Sequence, residues 1–381
     1  MGIERWHARC GVGPAVGVCR GGLSVDRRYA QAPGAGRGTS MTDKPLALSR
    51  LSTYRAQFMG LAILWTMLYH AVLVLPKWML PFVGVKTLGI VGVDIFFLLS
   101  GLGLSFSWKS DPQALAFWRK RFARVVPVFW FFVSLSLLKK TLESGLVPLD
   151  VGRFIGLDFF FGGNLDRWFV PSIMLCYLMF PLLAGLARRV GPAFTLLGCS
   201  GLAWCLSVLL IGTPMQHLQI FTVRLPAFCL GMYAGHVLAY KQRALWLERP
   251  MFVYGSLLLG MVMWLALQSL VKASVGWRYG LWWYPTVILA YPLCQLWGLT
   301  LSQLRSRTEV LQAWLARLGG DSLEIYLTHA FVFSFAVYMP YKASSFNPGR
   351  VPEYLFYSVL SIWLAPRAAR LVDARFGLKS S

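Results

Sequence analysis

Long apolar segments follow one another along this chain from Phe58 onward, separated by short stretches that hold most of the charged residues. Each segment has about the length, roughly 20 residues, that an α-helix needs to cross the hydrocarbon core of a bilayer. The pattern therefore predicts an all-α fold, a polytopic transmembrane bundle of about ten helices. The predicted spans lie near residues 58–76, 84–108, 121–142, 167–187, 193–212, 220–240, 250–272, 281–302, 322–343 and 352–373.

The composition agrees with a chain that lies mostly in lipid. It is 57% hydrophobic and 14% charged, whereas soluble domains average about 25% charged residues. The formal net charge is +22, but no basic stretch belongs to a soluble fold, so we expect no nucleic acid among the partners. With a cytoplasmic N-terminus, the predicted cytoplasmic segments hold 20 basic residues and the outer segments 11. This bias predicts a multi-pass protein of the cell inner (plasma) membrane with both termini cytoplasmic.

Residues 1–40 differ from the rest of the chain. They are rich in Gly, Ala and Arg and show no helical periodicity, and they lack the apolar core of a secretory signal peptide. We expect residues 1–49 to be a disordered or mis-assigned extension followed by a short cytoplasmic lead, and residues 50–375 to form the transmembrane domain. The short apolar stretch 151–163 is expected to be re-entrant or interfacial.

Two ionisable residues lie well inside the first two predicted spans. His70 stands in a segment, residues 58–75, that contains no acid and no Lys or Arg, and Asp94 lies in the second span. Ionisable side chains are costly in lipid and usually mark functional sites. Asp94 either pairs with His70, where it would orient a catalytic imidazole, or pairs with a basic residue of another span. The same two residues would also suit the proton relay of a proton-coupled transporter or flippase.

Further polar residues follow in and after the second span. Arg121 and Arg124 are three residues apart, so a helix would place them on one face, and arginine forks suit phosphate oxygens. The alternative is that these charges serve only membrane topology and contact lipid headgroups. Ser100 either lines a reacting site or, together with Gly101, permits two helices to approach closely.

Two features favour a structural interpretation. The Gly231-x-x-x-Gly235 pair in the sixth span is typical of a helix-packing contact. His329 lies in the ninth span beside Glu324 and Tyr326. We interpret His329 as structural, or as a polar group that supports a site without contacting the substrate.

The order of these features resembles the acyltransferase 3 family of integral membrane acyltransferases, over roughly residues 50–370. The motifs that carry the resemblance are Gly60 to His70 in the first span, FFLLSG at Phe96–Gly101, RFARVVP at Arg121–Pro127, Trp168-Phe169 with Tyr177 and Pro181, Gly231, and SLEIYLTH at Ser322–His329.

The resemblance implies an acyl-CoA donor on the cytoplasmic side, an acceptor reached from the membrane or the outer side, and His70 as the essential base. The family usually has Arg or Lys eleven positions before the histidine; that position is Met59 here, and Arg55 lies one helical turn earlier. No metal site is predicted, and no cofactor beyond acyl-CoA as co-substrate. The predicted site residues are His70 and Asp94 (catalytic), Arg55, Arg121, Arg124 and Ser100 (donor-binding), and Trp168 and Tyr177 (acceptor-binding).

These observations lead to one functional hypothesis and one alternative. The first is an enzyme that moves an acyl group, acetyl in the simplest case, from a cytoplasmic acyl-CoA to a hydroxyl of an envelope glycan or lipid-linked sugar. Membrane lipids would be its surroundings. The alternative is the proton-coupled transporter or flippase, in which His70 and Asp94 carry protons.

Overall fold

A computed structural model describes residues 46–71, 80–145, 151–165, 167–304, 308–336 and 350–376. Within these ranges the chain forms helices joined by turns, and no β-strand occurs in them, which confirms the all-α class. Residues 1–45 lie outside the described ranges, so the proposed disorder of the N-terminal extension stays a prediction. The packed part of the chain begins before residue 50, because Leu46 and Leu48 are buried and the Leu48 N–H donates to Glu248 Oε1 at 2.9 Å.

The longer helices are labelled in chain order. They are α1 (Arg55–His70), α2 (Val91–Ser110), α3 (Ala114–Ser144), α4 (Phe169–Val190), α5 (Pro192–Leu209), α6 (Leu225–Ala239), α7 (Pro250–Leu270), α8 (Trp283–Gln303), α9 (Glu309–Gly320), α10 (Ser322–Ala336) and α11 (Arg350–Phe376). Shorter helical segments are Arg50–Thr53, Leu80–Leu88, Val151–Ile155, Leu157–Phe160, Gln216–Leu218, Gln219–Thr222, Leu245–Glu248 and Ala273–Arg278.

Seven stretches of the described chain are long and apolar enough to cross a membrane, which confirms a polytopic helical bundle. They are Phe82–Ser110, Ala114–Ser144, Phe169–Val190, Pro192–Leu209, Gln216–Ala239, Pro250–Leu270 and Val351–Asp373. The other three predicted spans are helical too, as α1, α8 and α10, but they fall outside this set. The count of ten crossings and the cytoplasmic placement of the termini therefore stay predictions.

The helix α2 lies at the centre of the described bundle and packs closely on α6. A Cβ atom added to Gly231 would lie 1.8 Å from the Leu98 carbonyl oxygen, and one added to Gly101 would lie 2.2 Å from the Phe228 carbonyl oxygen. Only glycine permits backbones to come this close. Ser105 Oγ also donates to the Met232 carbonyl across the same interface, at 2.9 Å. The predicted role of these glycines in helix packing is thus confirmed.

A second close contact joins α1 to α9, a helix that the sequence analysis does not predict. A Cβ atom on Gly60 would lie 2.1 Å from the Leu315 carbonyl oxygen, and one on Gly319 would lie 1.8 Å from the Ala56 carbonyl oxygen. The segment lacks the length and apolar character of a membrane span, and the sequence pattern therefore predicts a loop there. This contact brings the C-terminal end of α9 beside the start of α1.

The stretch 151–163 forms two short helices, Val151–Ile155 and Leu157–Phe160, and neither is long enough to cross a bilayer. Trp130 Nε1 on α3 donates to the Phe154 carbonyl oxygen at 2.7 Å. Several apolar side chains of this stretch are exposed, among them Val151 and Phe161. Its interfacial placement stays a prediction.

Candidate active site

Two histidines from distant parts of the chain meet at the end of α1. His70 is the last residue of α1, and its Nδ1 lies 3.0 Å from the Thr66 carbonyl oxygen. His329 on α10 places its Nε2 3.3 Å from the same His70 Nδ1, with 5.2 Å between the ring centroids. The His329 ring is 2% exposed, whereas His70 is exposed. The pair therefore has one enclosed member and one exposed member.

A cavity of about 230 Å³ lies among α1, α2, α3, α4, α9 and α10. Five of the predicted site residues line it, namely Arg55, Ser100, Arg121, Arg124 and Tyr177. The prediction that Arg121 and Arg124 share a helix face agrees with this arrangement, because both reach the cavity from α3. The remaining wall includes Met59, Phe96, Phe169, Ile173, Leu323 and Tyr326. The lining thus combines three guanidinium groups with an apolar, largely aromatic surface.

Backbone carbonyls hold two of the three cavity arginines in place. Arg55 Nε donates to the Leu99 carbonyl oxygen at 3.0 Å, and Arg124 Nη2 donates to the Gly320 carbonyl oxygen at 2.9 Å. A guanidinium carries five N–H donors, so one such bond orients the group and leaves Arg124 able to donate to an anion. Arg124 is exposed, which places it at the open mouth of the cavity.

One carboxyl group lies beside this mouth. Burial raises the pKa of Asp321, which follows the last residue of α9, while the nearby positive charges of Arg124 and Arg317 oppose that rise. The carboxyl group of Asp321 thus lies among the positive charges at this mouth.

Tyr326 connects the cavity to the histidine pair. It lies on α10, lines the cavity and is 7% exposed. Its ring centroid lies 5.1 Å from that of Phe169 and 5.4 Å from that of His329. The aromatic end of the cavity is thus next to His329, which in turn contacts His70.

Asp94 forms an ion pair with Arg224, the residue that precedes α6. The Arg224 Nε and Asp94 Oδ1 atoms lie 3.2 Å apart, and both side chains are fully buried. Of the two alternatives for Asp94, the structure therefore shows the pairing with a basic residue of another segment. The ring nitrogen contacts of His70 are with Thr66 and His329 instead. In the described part of the chain, Asp94 and His70 therefore have different partners.

The aromatic residues around Arg224 account for Trp168. The guanidinium carbon of Arg224 lies 5.1 Å from the centroid of Trp168 and 5.3 Å from that of Trp283. The Trp168 ring also packs against Phe97, at 6.4 Å and an interplanar angle of 18°. Trp168 thus packs on protein groups, and its contact with an acceptor stays a prediction. Tyr177, the other predicted acceptor residue, lies in the arginine-lined cavity.

The sequence pattern does not identify Arg224 as the partner of Asp94, and it does not predict the contact between His329 and His70. Arg224 is a single basic residue near the start of an apolar span, and such a residue is easily assigned to the preceding loop. His329 appears in the sequence only as one polar residue of a span, and 259 residues separate it from His70. A search for every ionisable residue inside the predicted spans would have added Arg224 to His329. In the described part of the chain, no group of three or more His, Cys, Asp or Glu side chains could hold a metal ion.

Comparison with known proteins gives a consistent result. A family model described as an acyltransferase domain matches residues 60–366, well over half of the chain. The chain is also similar to "Acyltransferase MdmB" from Streptomyces mycarofaciens, with 33% identity over 120 residues. That alignment covers 28% of this chain and 31% of the relative, so the chain matches less than a third of the relative's length. No solved structure matches the chain.

Proposed function

Because the chain belongs to the acyltransferase 3 family and is a multi-pass membrane protein, we propose that it transfers acyl groups and that its donor is a cytoplasmic acyl-CoA. We propose further that the group is acetyl and that the acceptor is a hydroxyl of an envelope glycan or lipid-linked sugar. The choice of acceptor rests on the family resemblance.

The observation that carries the proposal is the cavity lined by Arg55, Arg121 and Arg124. Acyl-CoA is a polyanion at its nucleotide end and apolar at its acyl end. Arginine forks bind phosphate oxygens with charge-assisted hydrogen bonds. The apolar wall formed by Phe96, Phe169 and Tyr326 suits the other end of the donor. The polarity of the cavity therefore matches the polarity of the proposed ligand.

The position of Arg55 supports its proposed role as the basic residue that the first span contributes to the donor site. Arg55 and Met59 both line the cavity from α1, one helical turn apart, and residues four apart on a helix share a face. In the proposed site Arg55 therefore supplies the charge that the family usually places at the position of Met59.

The reaction follows from the exposed imidazole. The acceptor hydroxyl oxygen attacks the thioester carbonyl carbon while His70 takes the hydroxyl proton, and the carbon–sulfur bond then breaks. CoA leaves as a thiolate that recovers the proton from His70, so an ester and a free thiol are formed. A base with an imidazole's intrinsic proton affinity suits this transfer near neutral pH.

The proposal is tested with membranes that contain the full chain, by measuring thiol release from acetyl-CoA in the presence of envelope glycan. We expect His70→Ala to lower the rate by about 100-fold or more. Arg121→Ala and Arg124→Ala should each raise the KM for acetyl-CoA by about 10-fold, which is the effect of losing one charge-assisted hydrogen bond.

Arg119→Ala is the matched control, because Arg119 is an exposed residue of the same helix that does not line the cavity. Equal effects of Arg119→Ala and Arg121→Ala would contradict donor binding in the cavity. Mass spectrometry of envelope glycans from a deletion strain tests the acceptor, since the proposal requires that an acyl mass is lost from them.

A further inference from the structure

The hydrogen bonds around His329 determine which of its nitrogens carries a proton. Its Nδ1 lies 3.2 Å from the Ile325 carbonyl oxygen, and a carbonyl oxygen only accepts hydrogen bonds. The Nδ1 must therefore be the N–H, and in the neutral ring Nε2 is an acceptor. That acceptor nitrogen is the atom that lies 3.3 Å from His70 Nδ1.

The same reasoning then assigns the protons of His70. Its Nδ1 has two neighbours, the Thr66 carbonyl oxygen at 3.0 Å and His329 Nε2 at 3.3 Å, and both are acceptors. The His70 Nδ1 is therefore the N–H, and it donates to both neighbours. The remaining nitrogen of the neutral ring, Nε2, holds the unshared electron pair on a side chain that is exposed.

From this geometry we infer that His329 is a positioning residue for His70, and that His70 Nε2 is the atom that takes the acceptor's proton. The inference rests on the proposed function. When Nε2 takes the proton, the His70 ring becomes a cation and its Nδ1–H bonds become charge-assisted, hence stronger. His329 thus stabilises the cation that forms during the reaction, as an orienting partner does behind a catalytic histidine.

The surroundings of His329 suit such a role. Its ring is 2% exposed and packs against Tyr326, at 5.4 Å, and Phe333, at 5.5 Å between centroids. A side chain enclosed in this way keeps one orientation, so His70 meets a fixed acceptor. The Thr66 carbonyl belongs to the helix that carries His70 and cannot fix that helix relative to α10. His329 supplies a link between the two helices.

The test compares His329→Leu with His329→Gln in membranes that contain the full chain. Leucine removes the acceptor at similar size, and we expect kcat to fall by about 10- to 100-fold. The KM for acetyl-CoA should not change, because His329 does not line the arginine cavity. Glutamine returns an acceptor oxygen, and its kcat should stay within about threefold of the wild type.

Two controls separate positioning from a structural role. Thr328→Val changes the buried neighbour of His329 on α10 and should leave kcat unchanged. In the His70→Ala background, His329→Leu should cause no further loss, since a residue that acts through His70 has no effect without it.

The inference is overturned if His329→Leu keeps the wild-type kcat, if leucine and glutamine lower kcat equally, or if the two losses add in the double variant. These outcomes leave the proposed function intact. If the wild-type membranes release no thiol from acetyl-CoA, the proposed function fails first, and this inference falls with it.

Discussion

At the scale of single residues, Arg55 and Met59 are two positions of one helix face that reach the same cavity. Arg55 and Met59 occupy successive turns of one face of α1, and both side chains reach the cavity that Arg121 and Arg124 line. A guanidinium reaches several ångströms from its Cα atom, so a shift of one turn moves the charge little. A basic residue at either of these two positions could therefore supply positive charge to the cavity.

This exchange can be tested by moving the charge. Arg55→Ala should raise the KM for acetyl-CoA by about 10-fold, because a cation that faces the donor phosphates is lost. Adding Met59→Arg to that variant should recover most of the loss, measured as KM in the thiol-release assay. Met59→Lys in the same background serves as the comparison, because lysine supplies the charge without the forked guanidinium group. If the double variant binds no better than Arg55→Ala alone, Arg55 does not contribute its charge to the donor.

Among the predicted catalytic residues, Asp94 is the one whose expected role the structure alters most. Its carboxylate and the Arg224 guanidinium lie together in the interior with no exposed surface. Taking two charges out of water is costly, and their attraction offsets that cost only while both are present. The pair is therefore expected to hold α2 to the start of α6, rather than to transfer protons.

Removing one charge of this pair should destabilise the protein. We expect Asp94→Asn to cost about 3–5 kcal/mol, since Arg224 would remain buried without its counter-ion. The melting temperature of the protein in detergent measures this effect. The double variant Asp94→Asn with Arg224→Gln should be more stable than Asp94→Asn alone. A stable Asp94→Asn protein that has lost acyl transfer would instead return Asp94 to a catalytic role.

At the scale of helices, glycine contacts decide where the site can form. The α2–α6 contact passes through Gly101 and Gly231, and the α1–α9 contact passes through Gly60 and Gly319. The first contact places Ser100 and Phe96 on the cavity wall, and the second brings Gly319 and Gly320 to its mouth. These glycine contacts thus fix the α1 and α2 walls of the cavity, while Arg121 and Arg124 reach it from α3.

A single methyl group at such a contact should separate the helices. Gly231→Ala puts a Cβ atom 1.8 Å from the Leu98 carbonyl oxygen. We expect a loss of about 1–3 kcal/mol from overpacking, measured as a lower melting temperature in detergent. The control is Gly198→Ala on α5, where an added Cβ atom meets nothing within 4 Å. Equal stability of the two variants would contradict a tight α2–α6 contact.

The sequence predicts the all-α class and the shared helix face of Arg121 and Arg124, and for identifiable reasons. The apolar period and length decide the spans, and the three-residue spacing of Arg121 and Arg124 decides a shared face. The sequence does not predict that α10 brings His329 to His70, because contacts between distant helices depend on side-chain packing. Nor does it predict α9, whose apolar residues cover only one face and whose length is below that of a span.

At the scale of the whole molecule, the arginine-lined cavity and the histidine pair lie toward opposite ends of α1. The mouth of the cavity, where Arg124 is exposed, lies beside the start of α1 and the end of α9, whereas His70 lies at the other end of α1. A helix of 16 residues is about 24 Å long, so donor phosphates and His70 would stand on opposite sides of much of the bilayer. The proposed enzyme would take its donor from one side of the membrane and offer the acyl group toward the other.

The orientation of the bundle is tested by chemical labelling at two exposed loops. The basic-residue bias puts Ser110 in the cytoplasm and Thr213 on the outer side, and both residues are exposed. In a variant whose seven native cysteines are replaced, a cysteine at Thr213 should react with a membrane-impermeant maleimide in intact cells. A cysteine at Ser110 should react only after permeabilisation. The reverse pattern would place the mouth of the cavity outside, where no acyl-CoA is available, and would contradict a cytoplasmic donor even if the fold and the histidine pair are correct.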